Sequence, residues 1–287
     1  MKLVKKIILG SAILLAITII GYFVNLNLIR DTASPEDIQN STNTELIKWS
    51  SGKLFDIFVD PKDIVIINEK QIPMKATFQL KSDLSDLYSE IGVYDKKKPL
   101  VIIPIYTASA YSKNGFYDFY NGKCNTCLTT EIVSINELGE QSSANAVKIL
   151  KLLGYDSITD IELDKNPNIL LKYDKIIVLH NEYVTRNMFN AITSHPNVIY
   201  LYPNALYAEI STNFLNNTIS LIRGHGYPDK NIVNGFDWEF ENTNPYEYDK
   251  ECNSWEFYNI TNGKMLNCYP EQKIWQDEKF LKVLKEL

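Results

Sequence analysis

A histidine, an amide and a carboxylic acid stand together at His180-Asn181-Glu182, directly after the apolar run Ile176-Ile177-Val178-Leu179. Ionisable groups at the carboxyl end of such a strand sit where open α/β sheets place their ligands. Glu182 can act there as a base or a ligand, or it can cap the helix expected just after it through that helix's first amides. His180 reads as a second functional candidate, with a hydrogen-bonded core histidine as the alternative. These two are the catalytic candidates. A third group, His225, lies in Arg223-Gly224-His225-Gly226-Tyr227-Pro228, a glycine-rich turn that can bring the imidazole over a cleft, although turn geometry alone explains the glycines. His195, before Pro196, reads as a surface-loop residue.

The chain carries 18 tyrosines, dense over 106–120. Aromatic faces with polar tips suit sugar or peptide binding as well as core packing. Four cysteines, Cys124, Cys127, Cys252 and Cys268, form an even set in a chain that reads as facing outward, which favours disulfides with three possible pairings. Proximity pairs Cys124 with Cys127 and Cys252 with Cys268. A zinc site is the alternative, but only one half has C-x-x-C spacing. A thioredoxin-like pair fits less well, because Cys124 and Cys127 lie in a Tyr-, Gly- and Asn-rich loop and open no clear helix.

The elements that must position these groups follow from hydrophobic pattern. The continuous apolar run 100–106 is the signature of a strand covered on both faces. Helical spacing over 143–153 ends at Gly154, and further strands are expected at 158–163, 175–179 and 198–202, with a short helix at 185–194. This order implies βαβ crossovers and a mainly parallel sheet. Before it, 54–59, 64–67 and 76–80 read as a small antiparallel layer or as strands added to the sheet edge. After it, strands are expected at 218–222 and 236–240, a hairpin at 255–268 around Asn262-Gly263, and an amphipathic helix at 277–286. The fold class is therefore α/β, with β-rich N- and C-terminal additions.

The first thirty residues bear on location. Residues 7–24 are an apolar run without an acid, preceded by Lys2, Lys5 and Lys6, and at 1.5 Å rise per residue about 20 such positions span a bilayer. No small-residue cleavage site follows, so an uncleaved transmembrane helix is favoured over a removed signal peptide. The lysines place the N-terminus inside and the main domain outside the cell membrane. Setting aside the four basic residues of 1–30 moves the formal charge from −6 to −10. An acidic exterior chain with no basic cluster argues against nucleic acid as a partner, and none is expected. Sequons at Asn40, Asn216 and Asn259 are compatible with that exposure. The organisation is then 1–30 anchor, 31–45 polar stalk, 46–98 β-rich segment, 99–216 α/β core and 217–287 β-rich C-terminal segment with hairpin and terminal helix.

Three segments, Leu-Val-Ile-Ile-Pro-Ile-Tyr-Thr-Ala-Ser-Ala-Tyr at 100–111, 173–185, and Val-Ile-Tyr-Leu-Tyr-Pro-Asn-Ala-Leu-Tyr at 198–207, carry a resemblance over roughly a hundred positions. Their order resembles the class I glutamine-amidotransferase-like domain of the N,N-dimethylformamidase large-subunit family, and the chain is also similar to a group of membrane-anchored archaeal proteins. In class I glutamine amidotransferases a nucleophilic cysteine follows the strand corresponding to 198–202. Pro203-Asn204 stand there instead, so glutamine hydrolysis is not expected. The formamidase resemblance implies a mononuclear iron, or another divalent metal, on two tyrosinates and one glutamate. Carried over, Glu182 is the acid, Tyr106 or Tyr111 one phenolate, and Tyr117 or Tyr120 the other. Tyr111, Asn204 and His225 are expected to contact substrate. The expected function is metal-assisted hydrolysis of an amide-like bond, with a non-catalytic envelope protein that binds glycan or peptide as the rival.

Overall fold

The fold is taken from a computed structural model that describes residues 45–94, 98–240 and 246–287. The expected anchor and nearly all of the stalk lie outside these. Among the described residues, no helix is long and apolar enough to cross a membrane. The described residues divide into two compact units, 45–80 and Lys81–Leu287.

In the first unit, β1 (Ile47–Ser51), β2 (Phe55–Val59), the hairpin of β3 (Ile64–Ile67) with β4 (Lys70–Pro73), and β5 (Thr77–Leu80) are all antiparallel. Phe55, Ile57 and Val59 point inward while Asp56 and Phe58 are half-exposed, the period-two pattern of a sheet with one covered face. Of the two arrangements open from the sequence, the separate antiparallel layer is the one observed, in the order β1-β2-β5.

The second unit is an α/β layer structure. After α1 (Ser85–Ile91) its strands are β6 (Leu100–Ile103), β7 (Thr129–Glu131), β8 (Asp156–Thr159), β9 (Ile176–Val178), β10 (Tyr183–Thr185), β11 (Val198–Tyr200), β12 (Ala208–Asn213), β13 (Thr218–Arg223), β14 (Phe257–Ile260) and β15 (Gly263–Leu266). Six of them form a mixed, mostly parallel sheet in the order β14-β15-β11-β9-β6-β8, with only β14 antiparallel to its neighbour. Every residue of β6, β9 and β11 is buried, because helices cover both faces. The C-terminal hairpin is part of this sheet, so residues 217–287 and the 99–216 core share one framework. A second sheet, β10-β12-β13-β7, stands beside it. The chain passes from β6 to β8 on one side and returns to β9 on the other, so the strand order reverses between β6 and β9. That reversal is where doubly wound sheets open a crevice at their carboxyl ends.

The helices are α2 (Ile105–Tyr111), α3 (Phe116–Tyr120), α4 (Ala144–Leu152), α5 (Asp160–Lys165), α6 (Arg186–Ser194) and α7 (Glu278–Glu286). Three departures from the sequence expectations have local causes. The run 100–106 is not one strand: it breaks at Pro104, and the amide of Tyr106 then donates to buried Asp160 at 2.8 Å, which starts α2. The run 158–163 turns helical at Asp160 because Thr159 and Glu162 close a reciprocal capping box. No strand forms at 236–240, since the Asn234 side chain accepts from the amides of Phe236 and Trp238 and folds the segment into turns.

Cys124 pairs with Cys127 and Cys252 with Cys268, at Cα separations of 5.5 and 5.3 Å. The second bridge joins positions 16 apart and is fully buried, so replacing both of its cysteines with serine should cost about 3 kcal/mol in the chain-entropy picture. The same change at Cys124 and Cys127 should cost much less. Denaturant midpoints compare the two, and equal midpoints would contradict the assignment of Cys252–Cys268 as the structural bridge.

Candidate functional site

Glu182 leaves the end of β9 beside the β6/β9 reversal, and its backbone is fixed before its side chain is considered. Its amide donates to Thr107 Oγ1 of α2 at 3.0 Å, and its carbonyl accepts from the amides of Tyr207 and Ala208 at 2.9 Å each. The carboxyl group is fully buried. Helix capping is not its role, because Thr185 caps α6 by accepting from the Met188 amide.

Phenols surround the carboxyl. Tyr117 of α3 donates its hydroxyl to Glu182 Oε1 at 3.3 Å, and the Tyr111 hydroxyl at the end of α2 meets that of Tyr117 at 2.5 Å, their rings stacked with centroids 3.8 Å apart. Burial pushes the Glu182 acid up to about 8, and the charge of Glu247 adds to this, while the hydroxyls of Tyr111, Tyr117 and Tyr183 partly offset it. Burial likewise raises the Tyr111, Tyr117 and Tyr183 phenols well above their ordinary value, so all are neutral donors.

His180 is buried at 2% exposure. Its amide donates to Ser143 Oγ at 3.0 Å and its Nδ1 lies 2.5 Å from the Gln141 carbonyl. A carbonyl only accepts, so Nδ1 carries the proton and Nε2 keeps a lone pair. That Nε2 lies 3.9 Å from Glu182 Oε2, and neither atom has a hydrogen-bond partner. Burial lowers His180 to about 4, and likewise His225. With both imidazoles neutral, their approaches to Glu182 are not ion pairs.

The glycine-rich turn does bring His225 over the carboxyl. His225 is left-handed at φ 55°, between Gly224 and Gly226 at φ 116° and 76°, and its Nδ1 lies 3.8 Å from Glu182 Oε1. A Cβ on Gly224 would come within 2.9 Å of the Ala208 and Tyr207 backbone, so the close approach requires glycine. The His225 ring packs on Tyr120 at 4.2 Å, with Tyr117 and Tyr207 at 5.6 and 5.7 Å. Its side chain is 29% exposed, and Tyr111, Tyr117 and Tyr120 are also half-exposed. The site thus has a carboxyl floor and an aromatic rim.

Asn204 occupies a left-handed position, φ 59°, in the turn after β11. It is buried, its side chain bonds Glu247, and its Oδ1 lacks a partner. Tyr106 goes elsewhere: its hydroxyl donates to Asp164 at 3.2 Å, in a cluster with Thr185 and Thr212. At 3.6 residues per turn, positions 106 and 111 point about 140° apart, so one helix cannot send both tyrosines to Glu182. His195 is buried, not a surface residue, with Nε2 at 3.0 Å from the Tyr173 carbonyl. Glu247 and Tyr183 join the site without having been anticipated. Tertiary packing alone brings in Glu247, while Tyr183 follows Glu182 directly in the chain.

A second buried acid supports the wall. Glu271 accepts from the Asn145 amide at 2.7 Å, capping α4, and from the Tyr202 hydroxyl, whose ring lies 6.2 Å from that of His180. Burial, reinforced by the charge of Glu140, raises Glu271 to about 8 against a reference of 4.5. The folded state therefore holds this proton more tightly than the unfolded state. Its stabilisation is complete below about pH 4.5 and declines as pH rises to about 8. Glu182 contributes with the same sign. Melting curves over this window should fall less steeply for Glu271→Gln than for wild type, and equal slopes would contradict the shift.

The donor chemistry fits a hard or borderline cation. Glu182 offers a carboxyl oxygen with no partner, Tyr111 and Tyr117 offer phenol oxygens in mutual contact, and His180 Nε2 offers an unused lone pair. Among the described residues, no group of three or more His, Cys, Asp and Glu could hold a metal ion, so a site here needs the phenols. No family model matches the chain, and no curated protein matches it significantly.

Proposed function

We propose that the chain is a membrane-anchored, extracytoplasmic hydrolase of an amide-like bond. Its core would be of the class I glutamine-amidotransferase type found in the N,N-dimethylformamidase large subunit, without the cysteine nucleophile. One observation carries the reading: Glu182, Tyr117 and Tyr111 converge in an oxygen-donor cluster, with unpaired lone pairs on Glu182 Oε2 and His180 Nε2 3.9 Å apart. Glu182, Tyr111 and Tyr117 would hold the metal, iron or another divalent ion. Such an ion, when bound, polarises a carbonyl and acidifies water.

The remaining steps fall to the chain's own groups. The Gln141 carbonyl keeps the His180 proton on Nδ1, leaving Nε2 to accept a proton at the floor of the cleft. Asn204 Oδ1 can accept from a substrate N–H, and His225 at the rim can orient the substrate's far side. Buried Tyr183 and Tyr202 exclude water from behind the carboxyl.

The ring contacts of Tyr117, Tyr120 and Tyr207 around His225 favour a second reading, a non-catalytic cleft for glycan or peptide. Amine release decides between them. Purified protein should liberate amine from at least one member of a panel of formamides, primary amides and short peptides. Saturable binding of glycan or peptide with no release would support the second reading and sink the first.

A further inference from the structure

The end of the parallel sheet opposite Glu182 carries a concavity. It has a volume of about 340 Å³ and lies at the amino ends of β6, β8, β9 and β11, where Pro99, Asp156, Lys175 and Asn197 line it. Its charge is opposite to that of the chain as a whole. Lys98, Lys172, Lys175 and Lys285 line the pocket against Asp156 and Asp174, an excess of ammonium groups in a protein of formal charge −6.

Hydrogen-bond bookkeeping shows what those ammonium groups have left to give. Lys175 Nζ donates one bond, to the Lys285 carbonyl at 3.1 Å, and Lys285 Nζ donates to the carbonyls of Ser89 and Glu90 at 3.2 and 2.8 Å. An ammonium has three donors, so each retains capacity, and both are held in place by the bonds they already make. Lys98 is a loose partner of Asp156 at 3.9 Å, and Asp156 also accepts from the Tyr173 hydroxyl at 3.4 Å. The strand-end amides are spent: those of Leu100, Asp156, Ile176 and Val198 all bond neighbouring carbonyls. Recognition must therefore come from ammonium point charges. Burial lowers the Lys175 amine, a cost that a bound anion would relieve.

We propose that this pocket is an anion site for a phosphate group, held by Lys98, Lys172, Lys175 and Lys285 as point charges. Lysine binds phosphate in that manner, and several lysines lining one pocket suit a dianion better than a single carboxylate. The phosphate can belong to a free phosphorylated molecule or to a lipid headgroup.

The test uses the full-length protein in detergent. Inorganic phosphate should raise its melting temperature saturably relative to chloride at matched ionic strength, with an affinity on the order of 1 mM. The double variant Lys98→Ala/Lys172→Ala removes two half-exposed or exposed charges and should weaken that affinity about tenfold, while Lys172→Glu should weaken it at least as much. Vesicles of phosphatidylglycerol, compared with phosphatidylcholine, separate the sources. Lysine-dependent capture by the anionic vesicles assigns a headgroup, and a response to inorganic phosphate alone assigns a soluble ligand. No saturable response to either probe, or one unchanged in both variants, overturns the proposal.

Discussion

Glu182→Gln should abolish amide hydrolysis and metal retention together while leaving the protein folded. The carboxyl is fully buried and makes no ion pair, so an amide of nearly equal shape does not disrupt packing. Its new N–H group can face the unpaired His180 Nε2, which lies 3.9 Å from Oε2 in the wild type. The substitution removes the only carboxylate in the proposed ligand set, and with it the negative charge that a cation requires. Loss of an essential metal ligand should lower turnover by about a thousandfold or more, on the scale seen when a principal source of transition-state charge stabilisation is removed. Steady-state rates, metal analysis and a melting curve on one preparation check all three parts. A folded Glu182→Gln protein with wild-type turnover would remove Glu182 from the chemistry.

The second large effect separates two of the tyrosines that the sequence offers as phenolate candidates. Tyr117→Phe deletes the hydroxyl that touches both Glu182 and Tyr111, so metal and activity should fall by about a hundredfold or more. Tyr106→Phe deletes a hydroxyl that bonds Asp164, and it should leave metal and turnover intact while costing about 1 kcal/mol of stability. The reverse outcome, with Tyr106→Phe losing metal and Tyr117→Phe retaining it, would exchange their roles. Rates, metal content and denaturant midpoints on both variants provide the comparison.

That contrast marks the limit of what could be read from the chain. The strands Leu100–Ile103, Ile176–Val178 and Val198–Tyr200 were legible because full burial on both faces leaves a continuous apolar run. Glu182 was legible for a related reason, as an acid placed where such a run stops. The phenols were not, since their orientation depends on helix phase, and the phase of α2 is set by Pro104 and by Asp160, which lies 54 positions away from Tyr106. Reading 100–106 as strand left Tyr106 and Tyr111 equivalent. The capping box at Thr159 and Glu162 was a local signal for α5, outweighed by the β-leaning residues around it. Glu247 gave no local signal, because only the tertiary fold brings it to Glu182, whereas Tyr183 is its neighbour in sequence but nothing in the strand pattern marked its hydroxyl as part of the site.

The most direct test is metal stoichiometry on the purified full-length protein, both as isolated and after reloading with iron or zinc, followed with Glu182→Gln and Tyr117→Phe in parallel. The proposed site predicts about one ion per wild-type chain, a visible phenolate-to-iron charge-transfer band in the iron(III) form, and loss of both in each variant. Wild-type protein that stays metal-free after reloading, or that holds its ion equally well in both variants, would contradict the assignment of Glu182, Tyr111 and Tyr117 as a metal-binding hydrolytic centre.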